Sequence, residues 1–469
     1  MKPGELVREG ERLLARGQPL LALPLYHRLY EEATARDRTT LLHYGICLEA
    51  AGRLDEAVER YREAVVREPG FFEAHASLAG VLWRVGEFER ALAHARAAVD
   101  LAPEHPQCVR MLGSALLQLN RVDEAERVLR RALSLAPTLA GAQVDLASCL
   151  LLAGRLEEGW SWYEKRWNDT ARMPRPPFWR AELEWQGPDQ PLLGRRLLVY
   201  AEQGLGDAIQ FARYLPKLQA LGAHVVCAVP AALVPLVESS FRGVECLRAE
   251  GAVQADLHVA LLDLPARLGT TTLGDIPAAP RYLHAPADRV AHWRDRLAPW
   301  QGRFRIGLAW SGTRRQLNNR NRAVALSHLA PLFDLPGVQC FSLQQADAGR
   351  YTDVRPTPEQ LVDLTREWRD FGDSAAMVEQ LDLVVSVDTA TVHLAGALGT
   401  PALVLLPPNP DFRWLLDRED SPWYPGLRLF RRGAGESRPA QVARVLQAVR
   451  EQIRHSREGG NPVLPSPRR

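Results

Sequence analysis

Lysine is almost missing from this chain. Lys2, Lys165 and Lys217 are the only three in 469 residues, so nearly every cation is an arginine. The formal net charge is +2, which gives no global field to draw in nucleic acid. No run of 18 apolar residues occurs, which excludes a membrane-spanning helix. The opening stretch, MKPGELVREG, lacks the apolar core of a secretory signal, and the cytoplasm is the expected location. The cysteines (Cys47, Cys108, Cys149, Cys227, Cys246, Cys340) are scattered without a C-x-x-C pair. That spacing fits buried, reduced thiols and no zinc or dithiol motif. There is no Asp-x-Asp and no histidine cluster, so neither a metal nor another resident cofactor is expected.

What is present is a period of 34. Pro69, Pro103 and Pro137 keep that interval, as do Ala57, Ala91 and Ala125. Gly45, Ala79, Gly113 and Ala147 form a third row, and Gly52, Gly86, Asn120 and Gly154 a fourth. Small residues at fixed offsets mark places where two helices touch. Gly or Asn at the fourth row suits a left-handed helix end, and Pro closes the second helix. The pattern resembles the tetratricopeptide repeat and predicts a solenoid of antiparallel helix pairs. Thr39–Phe72, Glu73–Pro106 and Gln107–Ala140 are full repeats, with a looser one over 4–38 and a fifth over Gly141–Trp167. The second helix of the fifth, GWSWYEKRW, is far more aromatic than the others. It is expected to cap the solenoid against the next domain, with an acceptor-binding platform as the other reading. The concave face of such a solenoid usually holds an extended peptide or another protein.

The period ends near residue 172. A Pro/Trp-rich connector (173–196) follows, too rigid and aromatic for a floppy linker. Beyond it, short apolar strands alternate with helices. Strands are expected at 197–201, 224–229 and 255–260, forming one α/β domain over 197–300. Others at 304–310, 338–344, 381–387 and 402–406 form a second over 301–454. The tail, 455–469, has no periodicity and is expected to be disordered. The first strand runs into EQGLGD (202–207) and a helix, so backbone N–H groups point at a ligand. The third glycine of a dinucleotide fingerprint is missing, which argues against NAD. In the second set, Asp388, Thr389 and Thr391 stand between a strand end and a helix start, with His393 in the first turn. Open parallel sheets bind ligands there, and the helix start favours phosphate. Asp388 itself is expected to cap the helix or hold a ribose hydroxyl.

DTATVHLAGALGTP (388–401) resembles the nucleotide-sugar motif of the family 9, heptosyltransferase-like glycosyltransferases. EQGLGD resembles that family's glycine turn with its catalytic aspartate. WSG (310–312) and DFRWLL…SPWY (411–424) resemble the bacterial branch in which a repeat solenoid precedes the enzyme. The resemblance spans residues 5–432. It implies two Rossmann-like domains in a GT-B arrangement, the first on the acceptor side and the second holding the donor. It also implies metal-free, inverting transfer of a sugar from a nucleotide diphosphate to a protein or other large acceptor.

Sugar transfer needs a base for the acceptor hydroxyl and a stabiliser for the leaving diphosphate. Asp207 is the candidate base, with a helix cap as its plain structural reading; Glu202 is expected to be structural. The donor site is expected to comprise Gly204, Gly206, Trp310, Ser311, Gly312, Arg320, Arg322, Asp388, Thr389, Ala390 and His393. The family has a lysine near the phosphates, but this chain has none after Lys217, so Arg314, Arg315, Arg320 or Arg322 must substitute. The branch pattern also departs at Asn319, at Ala323 and at FRRGAGE (430–436). The alternative function is a non-catalytic scaffold: a repeat solenoid carrying a degenerate transferase domain.

Overall fold

The computed structural model describes residues 1–32, 37–170, 172–249, 254–313, 318–345, 349–433 and 435–457. The chain forms two compact units, Met1–Leu150 and Leu151–Arg469.

In the first unit the 34-residue rows become helix pairs. The pairs are α1 (Pro3–Ala15) with α2 (Pro19–Glu31), and α3 (Arg38–Ala50) with α4 (Leu54–Arg67). Next come α5 (Phe72–Val85) with α6 (Phe88–Leu101), α7 (Pro106–Gln118) with α8 (Val122–Leu135), and then α9 (Ala140–Leu152). Gly17, Gly52, Gly86, Asn120 and Gly154 all have positive φ, between 56° and 87°, at the ends of the first helices. Ala57, Ala91 and Ala125 are wholly buried. A β-carbon on Gly45 would fall 2.3 Å from the Tyr61 ring, and one on Gly113 would fall 2.6 Å from Leu129. Contacts this close admit only Gly or Ala in this row, which is why the period is held so strictly.

The second unit begins inside the fifth repeat. Its first complete helix is α10 (Leu156–Tyr163), followed by the 3₁₀ turn Glu164–Asn168. The composition shift predicts a boundary near 172; the division of the compact units falls at Leu150/Leu151. Trp160 of α10 is buried edge-on against Phe211, Phe412 and Trp423, so this helix is part of the α/β core. The connector is anchored too: Trp185 is fully buried and its backbone N–H donates to the His258 carbonyl at 2.8 Å.

Two all-parallel sheets follow. The first contains β1 (Arg196–Tyr200), β2 (His224–Val229), β3 (Glu245–Arg248) and β4 (Leu257–Ala260), in the order β3-β2-β1-β4. The second contains β5 (Phe304–Ala309), β6 (Val338–Ser342), β7 (Leu361–Val362), β8 (Leu383–Val387), β9 (Ala402–Leu406) and β10 (Leu427–Arg431). Its order is β10-β9-β8-β5-β6-β7. Both are doubly wound, and the winding reverses between β1 and β4 and between β5 and β8. Ligands of open parallel sheets bind at such reversal points, outside the carboxyl ends. β1 starts at Arg196, one residue before the expected strand. The last helix, Arg438–Arg457, takes in the first residues of the expected tail. Residues 458–469 lie outside the described residues, as do Arg314 and Arg315.

Candidate functional site

The turn after β1 leads into the helix Leu205–Phe211, with Gly204 at its N-cap. Gly204 has φ −71°, so its backbone is ordinary. Its N–H donates to Asp207 Oδ2 at 2.9 Å, so Asp207 reaches back from the first turn and ties the loop. Gly206 is required by a close approach. A β-carbon there would lie 2.9 Å from His393 Cδ2 and 3.5 Å from Ala390 Cα. The end of the first sheet therefore meets the start of the helix Ala390–Leu398 that follows β8.

That helix has Thr389 at its N-cap and Ala390 as its first residue. Asp388 does not cap it, contrary to expectation, because the cap position falls one residue later. Asp388 instead faces two cations or potential cations. Its Oδ2 is 3.5 Å from Arg322 Nη1, and its Oδ1 is 3.9 Å from His393 Nε2. His393 Nδ1 shares a hydrogen bond with the Tyr424 hydroxyl at 2.9 Å, and its ring stacks on Trp414 at 5.4 Å. Burial, reinforced by Arg413, lowers the His393 pKa to about 3, so the ring is neutral at physiological pH.

The turn after β5 supplies a third wall. The N–H groups of Trp310 and Ser311 both donate to Gln344 Oε1, at 3.1 and 2.9 Å. Gly312 N–H donates to Asn319 Oδ1 at 2.9 Å, and Asn319 Nδ2 donates to Ser311 Oγ at 3.1 Å. Asn319 thus ties both the backbone and the side chain of this turn. A β-carbon on Gly312 would lie 2.9 Å from Arg322 Nη2 and 3.8 Å from Thr389 Cγ2, so the turn touches both. The Trp310 side chain points elsewhere, into the core of the second sheet, with Nε1 donating to Thr352 at 3.2 Å. Arg320 is exposed, whereas Arg322 is the arginine held beside Asp388.

The sequence reading missed Arg413. Its guanidinium is buried, pairs with Asp207 Oδ1, and pairs with Asp411 Oδ1 at 2.7 Å. Burial pushes the Asp207 carboxyl above its ordinary range, while Arg413 pulls the other way. Arg413 and Trp414 sit on a short 3₁₀ turn, Phe412–Trp414, and the next residue is strained: Leu415 has φ 54° and ψ −164°. That region is essentially reserved for glycine and costs about 1–3 kcal/mol for another residue. The DFRW string was the only sequence signal of this turn.

At the first sheet's reversal point a side chain fills the place of a ligand. Arg166, from the 3₁₀ turn after α10, bonds Glu202 Oε1 at 2.6 Å beyond β1 and Asp263 Oδ1 at 2.5 Å beyond β4. Trp167 Nε1 also donates to Asp263, at 3.2 Å. Glu202 is thus held by Arg166. Burial and Asp263 outweigh Arg166 and push its pKa up to about 7.

A family profile described as the tetratricopeptide repeat matches residues 7–70, 49–106, 76–140 and 110–166. Residues 7–166 are therefore tetratricopeptide repeats. A curated relative, Protein FlbA of Caulobacter vibrioides, is 30% identical over 420 residues, covering 82% of this chain, so the match runs past the repeats. The chain spans 63% of that protein's length. Among solved structures, a thermophilic tetratricopeptide protein of Thermus thermophilus, TTC0263, is 25% identical. It covers 36% of this chain and 92% of its own, with a TM-score of 0.33. MamA from Desulfovibrio magneticus RS-1 is 20% identical over 37% of this chain and 98% of its own, with a TM-score of 0.32. Among the described residues no helix is long and apolar enough to cross a membrane.

Proposed function

We propose that the Leu151–Arg469 unit is a GT-B-type glycosyltransferase of the family 9 kind, acting on a protein or other large acceptor brought by the repeats. The observation that carries this reading is the meeting of two sheet ends. One presents a carboxylate, Asp207, and the other a helix start, Thr389–His393, with Arg322 and Arg413 beside it. In this reading the diphosphate of a nucleotide-sugar donor lies at the helix start. Backbone N–H groups and the helix dipole oppose its charge there. Arg322 takes the place of the family's lysine. Asp207 accepts the proton of the acceptor hydroxyl as the new glycosidic bond forms on the opposite face of the sugar, which inverts the anomeric centre. The diphosphate leaves with the electrons of the broken bond, and no metal or other cofactor takes part. The neutral His393 does not compete as a cation; it fixes the first turn through Tyr424 and Trp414. The repeats take up the acceptor protein, a role their fold supports. The proposed location is the cytoplasm.

The scaffold reading has one observation in its favour: Asp207 is engaged by Arg413, so its carboxylate is not free. Turnover separates the two. Purified chain is incubated with UDP-, GDP- and ADP-sugars and an acceptor captured through the repeats. Sugar transfer that is lost in Asp207→Asn supports the enzyme. Wild-type protein that binds acceptor but transfers nothing from any donor supports the scaffold.

A further inference from the structure

The structure assigns a second duty to Arg413, resting on the donor-site reading above. We infer that Arg413 is a two-position latch: it holds Asp207 in the free protein, then passes to the donor's diphosphate and releases the carboxylate.

Three observations carry this. The first is placement. Gly206 touches Ala390 and His393, and Asp207 is the next residue, so the Asp207–Arg413 pair sits beside the helix start. Trp414, next to Arg413 in the chain, is stacked on His393 of that same turn. The guanidinium is thus already next to the place where an anion gains most from the helix dipole. The second is unused capacity. Arg413 Nε and Trp414 Nε1 are buried N–H donors with no hydrogen-bond partner among the described residues, and so is Arg322 Nε. These three donors lie around one helix start, where a diphosphate would offer them acceptor oxygens. The third is stored strain. The turn bearing Arg413 ends in Leu415 at φ 54° and ψ −164°. Strained backbone of this kind gathers at clamps and switches, where a second arrangement lies close in energy.

The groups facing Asp207 give the latch its direction. Arg413 and Asp411 come from the 3₁₀ turn, Asp388 and His393 from the β8–helix junction, and Tyr163 from α10. Arg413 is the one charged group among them that favours the charged carboxylate. When it turns to a diphosphate, Asp207 loses that attraction and gains a negative neighbour, so its proton affinity rises. Asp207 is thus a stronger base with the donor seated than with Arg413 upon it.

The test uses full-length protein with UDP, GDP and ADP as probes. Binding is measured by calorimetry in wild type, Arg413→Gln and Arg413→Lys. The Asp207 carboxyl is titrated by carbon-13 NMR of aspartate-labelled protein, with Asp207→Asn giving the assignment. The latch requires that a bound diphosphate raise the Asp207 midpoint by a unit or more in wild type. It also requires that Arg413→Gln start from the raised midpoint and bind the diphosphate about tenfold more weakly, with Arg413→Lys between the two. An unmoved wild-type midpoint rejects the latch even if a variant fails to fold; because the diphosphate's own charge also raises the midpoint, support is read from a smaller rise in Arg413→Gln or Arg413→Lys than in wild type. Diphosphate binding with an unmoved Asp207 midpoint, or with full affinity in folded Arg413→Gln, overturns the latch and leaves the donor site standing. Absence of binding to wild type by all three probes overturns both.

Discussion

Gly206 and His393 meet so closely that the glycine has no room for a methyl group: its β-carbon would stand 2.9 Å from His393 Cδ2. The histidine cannot step aside, because Tyr424 holds its Nδ1 and Trp414 covers its face. Gly206→Ala is therefore expected to separate the two turns. The cost should be about 1–3 kcal/mol, as for other overpacked contacts. Melting temperature and nucleoside diphosphate affinity should both fall. A normal melting temperature in Gly206→Ala would mean that the turns are not in contact in solution.

The helix start makes a second prediction. Removing the N-cap hydroxyl and the first-turn imidazole together, as Thr389→Ala with His393→Ala, should weaken diphosphate binding by at least tenfold, about 1.4 kcal/mol. EDTA should have no effect. Binding that disappears with EDTA would require a metal and would displace the proposed site.

Much of this was legible in the sequence, and the omissions have two physical causes. The solenoid rows are strict because small residues pack directly on Tyr61 and Leu129 and because five helix ends are left-handed. Buried central strands such as LVVSV and ALVLL were equally plain. β3, β7 and β10 were not foreseen, and all three are edge strands, short or only partly covered. Within the site, the glycine turn and the Asp388–His393 junction carry local signatures. Arg413 lies in the DFRW string, which does not disclose its partner, and Arg166 has no such signature. Each works by reaching a carboxylate distant in sequence: Arg413 is 206 residues from Asp207, and Arg166 is 97 from Asp263.

Asp207 has two structural ties, to Gly204 N–H and to Arg413, so its substitution has two separable effects. Asn can keep the first tie but leaves Arg413 with Asp411 alone. Asp207→Asn should therefore lower the melting temperature by a few degrees while reducing transfer by about 10²–10⁴, the usual loss for a general base. Asp207→Ala should lose both ties and melt earlier still. Full turnover in Asp207→Asn would reject the base assignment.

Glu202 predicts a pH dependence. Its pKa rises from 4.5 to about 7 in the fold, chiefly by burial, so the folded chain holds a proton that the unfolded chain releases. Stability contributed by this group is present below the unfolded pKa and declines as pH rises through about 7. Glu202→Gln, which mimics the protonated form, should flatten that part of the profile. Denaturant melts between about pH 5 and 8 check this; an identical slope in both proteins would contradict it.

Truncation tests the division of the chain. A fragment beginning at 173 lacks Trp160, which is fully packed among aromatic rings, and Arg166, which joins the ends of β1 and β4. It should fail to fold cooperatively. A fragment beginning at 151 retains both and should melt as one unit. Equal, cooperative melting of the two fragments would show that α10 is dispensable.

The position of α10 also gives the repeat array a polarity. A tandem array is ordinarily free to gain or lose units at either end, since each unit answers only to its neighbours. Here the last helix leads straight into the arginine that closes the first sheet, so a duplication or deletion there would tear the α/β core. Length variation is tolerable only upstream of it. Chains of this design can diversify by adding or exchanging early repeats, while the final helix is inherited with the α/β core it completes.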